Sequence, residues 1–178
     1  MVSTSSSNES NSAPPIICIS GFSGSGKTTL IVGLISHLTR EGFRVGTIKH
    51  DVHGFNIDQP GKDSYRHKEA GASAAIITSP TRFAMVADTD EDRSPESYLP
   101  LMSGLDIVVA EGFKRAKLPK IEVFRPETGK GRACENDPYL IAMASNASLD
   151  TDVPRFPLDA TRQIADFIID RLKLQKKD

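Results

Sequence analysis

The sequence predicts an α/β fold, a three-layer sandwich on a mostly parallel sheet with one antiparallel hairpin. Three observations in its 178 residues carry that prediction. A short apolar run, Ile16 to Ile19, leads through a glycine-rich loop into residues of helical spacing. A second apolar run, Leu105 to Ala110, ends abruptly on Glu111. Two further apolar segments, Ala74 to Thr78 and Phe83 to Ala87, are separated by only Ser79-Pro80-Thr81-Arg82, too short for a helical crossover, and so must form a hairpin.

The loop is Gly21-Phe22-Ser23-Gly24-Ser25-Gly26-Lys27-Thr28, a Gly followed by four free positions and Gly-Lys-Thr. With a strand before it and a helix after it, this is the phosphate-binding loop of the nucleoside triphosphatase type. Its glycines let successive N–H groups turn inward toward phosphate oxygens, and the helix adds the positive end of its dipole. Lys27 is expected to reach the β- and γ-phosphates, and the Thr28 hydroxyl to ligate Mg²⁺. A Gly/Ser-rich turn that binds nothing is the competing reading, and the well-formed flanks disfavour it.

In chain order, the first helix is expected from Lys27 to Glu41, with Leu30, Ile31, Leu34, Ile35 and Leu38 on its apolar side and Gly42 as its left-handed stop. Phe43 to Ile48 reads as a second strand, so the unit is βαβ with a right-handed crossover. Lys49, His50 and Asp51 then fall at the carboxyl end of that strand, where ligands gather in such sheets. The polar stretch His53 to Ser64 is a loop entering a short helix, Asp63 to Ala70, closed by Gly71. Within it Asp58 is the preferred acid, as a Mg²⁺ ligand or to orient an attacking water; turn chemistry is the plainer alternative. His50, His53 and His67 lack regular ligand spacing and are expected at the surface or on phosphate rather than on a metal.

The hairpin is expected to make the sheet mixed. Ser94-Pro95-Glu96 has the form of a helix start, with the helix ending near Gly104. Leu105 to Glu111 is a buried parallel strand whose terminal acid is the candidate Mg²⁺ partner of Thr28, and Gly112 allows close passage of the backbone. Lys114 to Lys120 is a basic loop, either a solvated face or a contact for an anion, and Lys120 to Arg125 is strand-like. Residues 125–138, rich in Pro, Gly and charge, form a loop. Tyr139 to Ala144 is another strand, with Asn146 at its tip, and Val153 to Phe156 is the last. Asp159 is expected to cap a final helix striped with Ile164, Phe167, Ile168 and Leu172.

Composition limits the function classes. A formal net charge of −1 with interspersed signs offers nothing to nucleic acid or an anionic membrane. No apolar run approaches the roughly 20 residues of a membrane span, and the start has no signal-peptide pattern. Cys18 and Cys134 form no C-x-x-C and are expected as reduced thiols, so a cytoplasmic setting is expected. Residues 1–13, mostly Ser, Asn and Thr, are expected to be a disordered extension, and residues 14–178 a single nucleotide-binding domain.

The ordered set of the loop at Gly21, Ile48-Lys49-His50-Asp51, Asp58-Gln59-Pro60-Gly61-Lys62-Asp63-Ser64, Glu111-Gly112-Phe113-Lys114 and Lys120 to Arg125 resembles the molybdopterin-guanine dinucleotide biosynthesis protein B family. The resemblance runs from Ile16 to the last helix. It implies a dimeric, Mg²⁺-dependent GTP-binding protein with weak GTPase activity. Such a protein is an adaptor for the molybdenum cofactor guanylyltransferase (of MobA type) that attaches GMP to molybdopterin, so molybdopterin is a further candidate ligand. The candidate residues for the nucleotide are Gly21, Ser23, Gly24, Ser25, Gly26, Lys27, Thr28, Thr29, Lys49, His50, Lys62 and Asn146, of which the resemblance carries over Gly24 to Thr29. It also implies Thr28 and Glu111 for the metal and a mobile segment near the γ-phosphate at Asp58 to Ser64; Asp58 is a further metal candidate, and Lys27, Asp58 and Glu111 are the candidates for catalysis. Asn146 stands where the family more often has Asp, and no Asn-Lys-x-Asp guanine signature is present. No arginine finger is evident; Arg82 or a partner's arginine are candidates. The alternative function is a small-molecule kinase on the same fold, disfavoured because no arginine-rich lid segment is evident.

Overall fold

The structure is a computed structural model that describes residues 13–176; all but the last residue of the expected N-terminal extension lies outside the described residues. The chain divides into two compact units, one formed by the segment up to His50 together with everything from Ser94, the other by Asp51–Arg93.

The first unit is built on a six-stranded sheet in the order β2-β5-β1-β6-β7-β8. Its strands are β1 (Ile16–Ser20), β2 (Val45–Lys49), β5 (Ile107–Glu111), β6 (Lys120–Val123), β7 (Leu140–Ala144) and β8 (Arg155–Phe156). All neighbours pair in parallel. Both faces are covered, which is why β1 and β5 read as unbroken apolar runs rather than alternating ones. Ile17, Ile19, Ile107 and Val109 point to one face, Ile16, Cys18, Val108 and Ala110 to the other.

Helices α1 (Lys27–Arg40) and α3 (Thr161–Leu172) cover the first face. From α1 come Leu30, Ile31, Leu34 and Leu38, and from α3 Ile164, Ala165 and Ile168, with Phe167 and Leu172 at the margin. The stripe expected on α3 is therefore the packing face. Its cap is not the Asp159 side chain: Ala160 occupies the cap position, and the Asp159 backbone carbonyl accepts from Thr161 N–H at 2.8 Å.

Among the described residues of the first unit, no α-helix covers the second face. The segment expected to be helical after Ser94 is a 3-10 helix, Pro95–Met102, and Leu99 and Met102 pack with Phe113 and Leu118 against the sheet. Pro100 lies inside it, and an α-helical ladder would lose a donor there and meet the proline ring. Ser94 makes no side-chain cap; its hydroxyl lies 3.4 Å from that of Ser97.

The second unit contains α2 (Asp63–Glu69) and the antiparallel pair β3 (Ala74–Ser79) and β4 (Arg82–Ala87). The hairpin is as the short connection demanded, but it is a sheet of its own, so the six-stranded sheet is wholly parallel and the expected mixed sheet does not form. Lys68 ties α2 to the hairpin, donating to Ala72 O at 2.5 Å and to Asp88 at 2.7 Å. Among the described residues no helix is long and apolar enough to cross a membrane.

Candidate functional site

The sheet order places β5 between β1 and β2, with Ile19 and Lys49 both in register with Glu111. The carboxyl ends of these three strands therefore meet at one edge, at the point where the chain switches direction across the sheet. The loop after β1, Lys49 and His50 after β2, and Glu111-Gly112 after β5 come together there as expected.

The loop is shaped by three left-handed glycines, Gly21 (φ 144°), Gly24 (φ 83°) and Gly26 (φ 100°). At Gly21 the requirement is also spatial, because a Cβ would lie 2.4 Å from the Val123 carbonyl oxygen. Gly26 is the N-cap of α1 and offers no side-chain cap, so the first N–H groups of the helix are left for something else. Ser25 is buried and its hydroxyl has no hydrogen-bond partner, an orphaned donor inside the loop. Ser23, Thr28 and Thr29 are exposed.

Lys27 folds back over the loop and donates to the Phe22 carbonyl at 3.0 Å. Burial pushes its ammonium below the ordinary 10.5; the Glu111 carboxylate opposes this, and Lys114, Lys49 and Lys130 add to the lowering. Across the loop the Thr28 hydroxyl donates to Glu111 Oε1 at 3.1 Å. Gly112 holds that strand tip in place, donating to Ile19 O at 3.0 Å and accepting from the Ser20 hydroxyl at 2.9 Å. The His50 ring stacks on Phe113 at 4.8 Å, and its backbone N–H donates to Glu111 O.

The other expected residues have different surroundings. Asp58 and Lys62 belong to the second unit, where with Gln59, Asp63 and Ser64 they line a cavity of about 400 Å³ floored by Ala75, Ile77, Ala84 and Val86. Asp58 Oδ1 accepts from Gln59 N–H at 2.9 Å and from the Ser64 hydroxyl at 3.0 Å, while Oδ2 is buried with no partner. Asn146 is exposed, and its Oδ1 accepts from Leu158 N–H at 2.9 Å, which binds the tip of β7 to the approach to α3.

Some residues that the sequence reading placed only loosely take definite positions beside the loop. Arg125, read only as a strand end, donates through Nε to Ser25 O at 2.9 Å. Lys114 and Lys130 stand over the Phe22 ring at 4.0 and 5.6 Å from its centroid. The signal available was position alone: each follows a strand that ends at the loop's edge. Lys120, by contrast, is no part of a solvated basic face. It is fully buried and donates to Lys114 O, Ala116 O and Asp137, the last at 2.5 Å. Glu122, also buried, accepts from the backbone of Ala133 and Cys134 and from Arg132, pinning that loop to β6.

The donor set fits a nucleotide with Mg²⁺. The free N–H groups of the loop and the orphaned Ser25 hydroxyl suit phosphate oxygens. The Thr28 hydroxyl and the Glu111 carboxylate are hard oxygen donors. Among the described residues no group of three or more His, Cys, Asp or Glu is placed to hold a metal.

The chain is similar to known proteins along most of its length. The family model described as molybdopterin guanine dinucleotide synthesis protein B matches residues 16–146. The molybdopterin-guanine dinucleotide biosynthesis adapter protein of Escherichia coli (strain K12) is 37% identical over 90% of this chain and 95% of its own length. The adapter protein of the same name from Haemophilus influenzae is 40% identical over 89% of each chain. Among solved structures, the crystal structure of Bacillus subtilis MobB superposes with a TM-score of 0.71 at 25% identity, covering 92% of this chain and 99% of that one. The phosphate loop, the Glu111 strand tip and these matches along almost the whole chain make it a member of the molybdopterin guanine dinucleotide synthesis protein B family.

Proposed function

We propose that the protein binds GTP with Mg²⁺, hydrolyses it slowly, and serves as an adaptor to the guanylyltransferase that attaches GMP to molybdopterin. The observation that carries this reading is the closure of Thr28 onto Glu111 beside Lys27, a hydroxyl, a carboxylate and a cation gathered at the mouth of a phosphate loop. The loop N–H groups and Lys27 stabilise negative charge on the transferring phosphoryl group, and Thr28 and Glu111 hold the metal. When bound, Mg²⁺ neutralises charge shared between the β- and γ-phosphates. Asp58, whose Oδ2 is buried without a donor, is the proposed second acid, and Lys62 lies in the segment that the family resemblance assigns to the third phosphate.

Guanine rather than adenine is inferred from the family, since the adapter proteins it resembles are named for guanine dinucleotide synthesis. The adaptor is proposed to act as a homodimer in the cytoplasm. Support for self-association comes from the hairpin face opposite the cavity, where Ile76, Phe83 and Met85 are 60%, 64% and 44% exposed.

The test is calorimetric titration of GTP and ATP, each with and without Mg²⁺, followed by single-turnover hydrolysis with and without the guanylyltransferase. Slow GDP release that needs no acceptor is expected. Failure of GTP to bind would remove the reading, and turnover that requires an added small-molecule acceptor would replace it with a kinase. Sedimentation of wild type and Phe83→Glu tests the dimer, which the charge should dissociate.

A further inference from the structure

We propose that Arg125 is a nucleotide-binding residue: a cation tethered to the phosphate loop that acts on the α- and β-phosphates. The proposal rests on the nucleotide reading above and deepens it. Arg125 follows β6, the neighbour of β1, and reaches back 100 positions to donate through Nε to the Ser25 carbonyl. Its guanidinium presents its Nε–Nη2 edge to Gly26, with both nitrogens 3.4 Å from the place a Cβ would occupy. Position 26 is thus closed to a side chain by its left-handed φ, and the guanidinium occupies the adjoining space.

The tether uses one of the five N–H donors of a guanidinium and neutralises nothing, because a carbonyl is uncharged. Arg125 forms no ion pair with a carboxylate among the described residues. It is nevertheless held beside the N-cap of α1, the positive end of the helix, where a cation is disfavoured. Lys27 follows Gly26 in the chain, and Lys114 and Lys130 stand over the ring of Phe22 in the same loop, at 4.0 and 5.6 Å from its centroid. This concentration of positive charge around a phosphate loop is compensated when a polyanion is bound.

Position along the loop indicates which phosphates are involved. Backbone N–H groups of the loop cradle the α- and β-phosphates, whereas the lysine side chain reaches the β- and γ-phosphates. A guanidinium seated at Gly26 belongs with the first pair. It is therefore not an arginine finger, which acts on the group being transferred. Its binding energy is shared by diphosphate and triphosphate, and its loss weakens both alike.

The experiment measures affinities for GDP and for a non-hydrolysable GTP analogue, in wild type and in Arg125→Ala, Arg125→Gln and Arg125→Lys, with the melting temperature of each nucleotide-free protein. Gln keeps a donor for the Ser25 carbonyl without the charge, and Lys keeps the charge without the planar fork. Arg125→Ala and Arg125→Gln should each lose about tenfold or more for both ligands, as for removal of a charge-assisted bond. Arg125→Lys should recover most of it, and the salt dependence of binding should be shallower in Ala and Gln than in Lys. Wild-type affinity in Arg125→Gln would overturn the proposal, leaving a tie for the loop backbone. A loss confined to the triphosphate analogue would overturn it too, as would a loss in all three variants that tracks a lower melting temperature. Wild type that binds no nucleotide, or Lys27→Ala that binds as wild type does, would bring down the nucleotide reading itself and this proposal with it.

Discussion

The Thr28 hydroxyl donates to Glu111 Oε1 at 3.1 Å, joining the first turn of α1 to the tip of β5 across 83 positions. The two side chains act as one unit if they share a metal. Thr28→Val and Glu111→Gln should each weaken the Mg²⁺ enhancement of nucleotide affinity by about 10–100-fold, the range seen when groups that orient or bind a metal are altered. The double variant should cost little more than either single one, since coupled residues are not additive. Titrations at fixed nucleotide and varied Mg²⁺ read this directly, and losses that simply add would show that the two act independently.

Lys27 should be a liability to the nucleotide-free fold. Its protonated form is disfavoured by burial, so its folded pKa lies below the unfolded 10.5. Between those two values the unfolded chain binds more protons, and stability therefore rises with pH through that window. Lys27→Met should melt no lower than wild type near neutral pH without ligand, yet lose nucleotide binding. A marked fall in melting temperature would mean that its bond to Phe22 O outweighs the desolvation.

Lys120 should be among the costliest single losses. It is buried, paired with Asp137 and bonded to two carbonyls of the loop that follows Glu111. Lys120→Met leaves those acceptors and the carboxylate without their donor, a change that typically costs about 3–5 kcal/mol. Urea denaturation should show that loss, and Lys120→Met combined with Asp137→Asn should recover part of it. A cost under about 1 kcal/mol, the scale of an exposed pair, would contradict the buried role.

The two thiols should be inert while the protein is folded. Burial pushes Cys18 up to about 12 and Cys134 up to about 11 from an ordinary 9.0. Both remain protonated at neutral pH, and the thiolate is the reactive form. A disulfide-exchange reagent should label them only as fast as the chain opens, and rapid labelling of native protein would refute it. The folded state prefers the protonated thiols, so their contribution is present below about pH 9 and declines as pH rises toward 11 and 12.

Replacing Gly21 by Ala should damage the loop, because the new methyl would also lie 2.8 Å from the Ser25 hydroxyl. The new methyl would meet the Val123 carbonyl at a φ that side chains rarely adopt. Nucleotide affinity should fall well beyond tenfold while far-UV circular dichroism is retained; unchanged affinity would show that the loop can be rebuilt elsewhere.

Much of the site was legible because its parts are contiguous. The loop, the acid ending β5 and the left-handed stop at Gly42 are each encoded within a few residues, and the structure places all three as expected. The hairpin was legible from its connection, whereas its independence from the main sheet was not. The 3-10 helix at Pro95 illustrates a different limit: a cap-proline-acid start was present, but Pro100 decided the geometry.

By itself, then, the sequence determined the strands, the three α-helices, the phosphate loop and the acid facing it, because periodicity and turn chemistry act over a few residues. Only the tertiary structure decided that Arg125 would lie on Ser25, that Lys120 would be buried, and that Lys114 and Lys130 would flank Phe22. Those contacts follow from the strand order β2-β5-β1-β6, which sets side by side segments up to 100 positions apart. The physical reason is that strand order is chosen by burial of the whole sheet on both faces, a global balance that no local stretch of residues encodes.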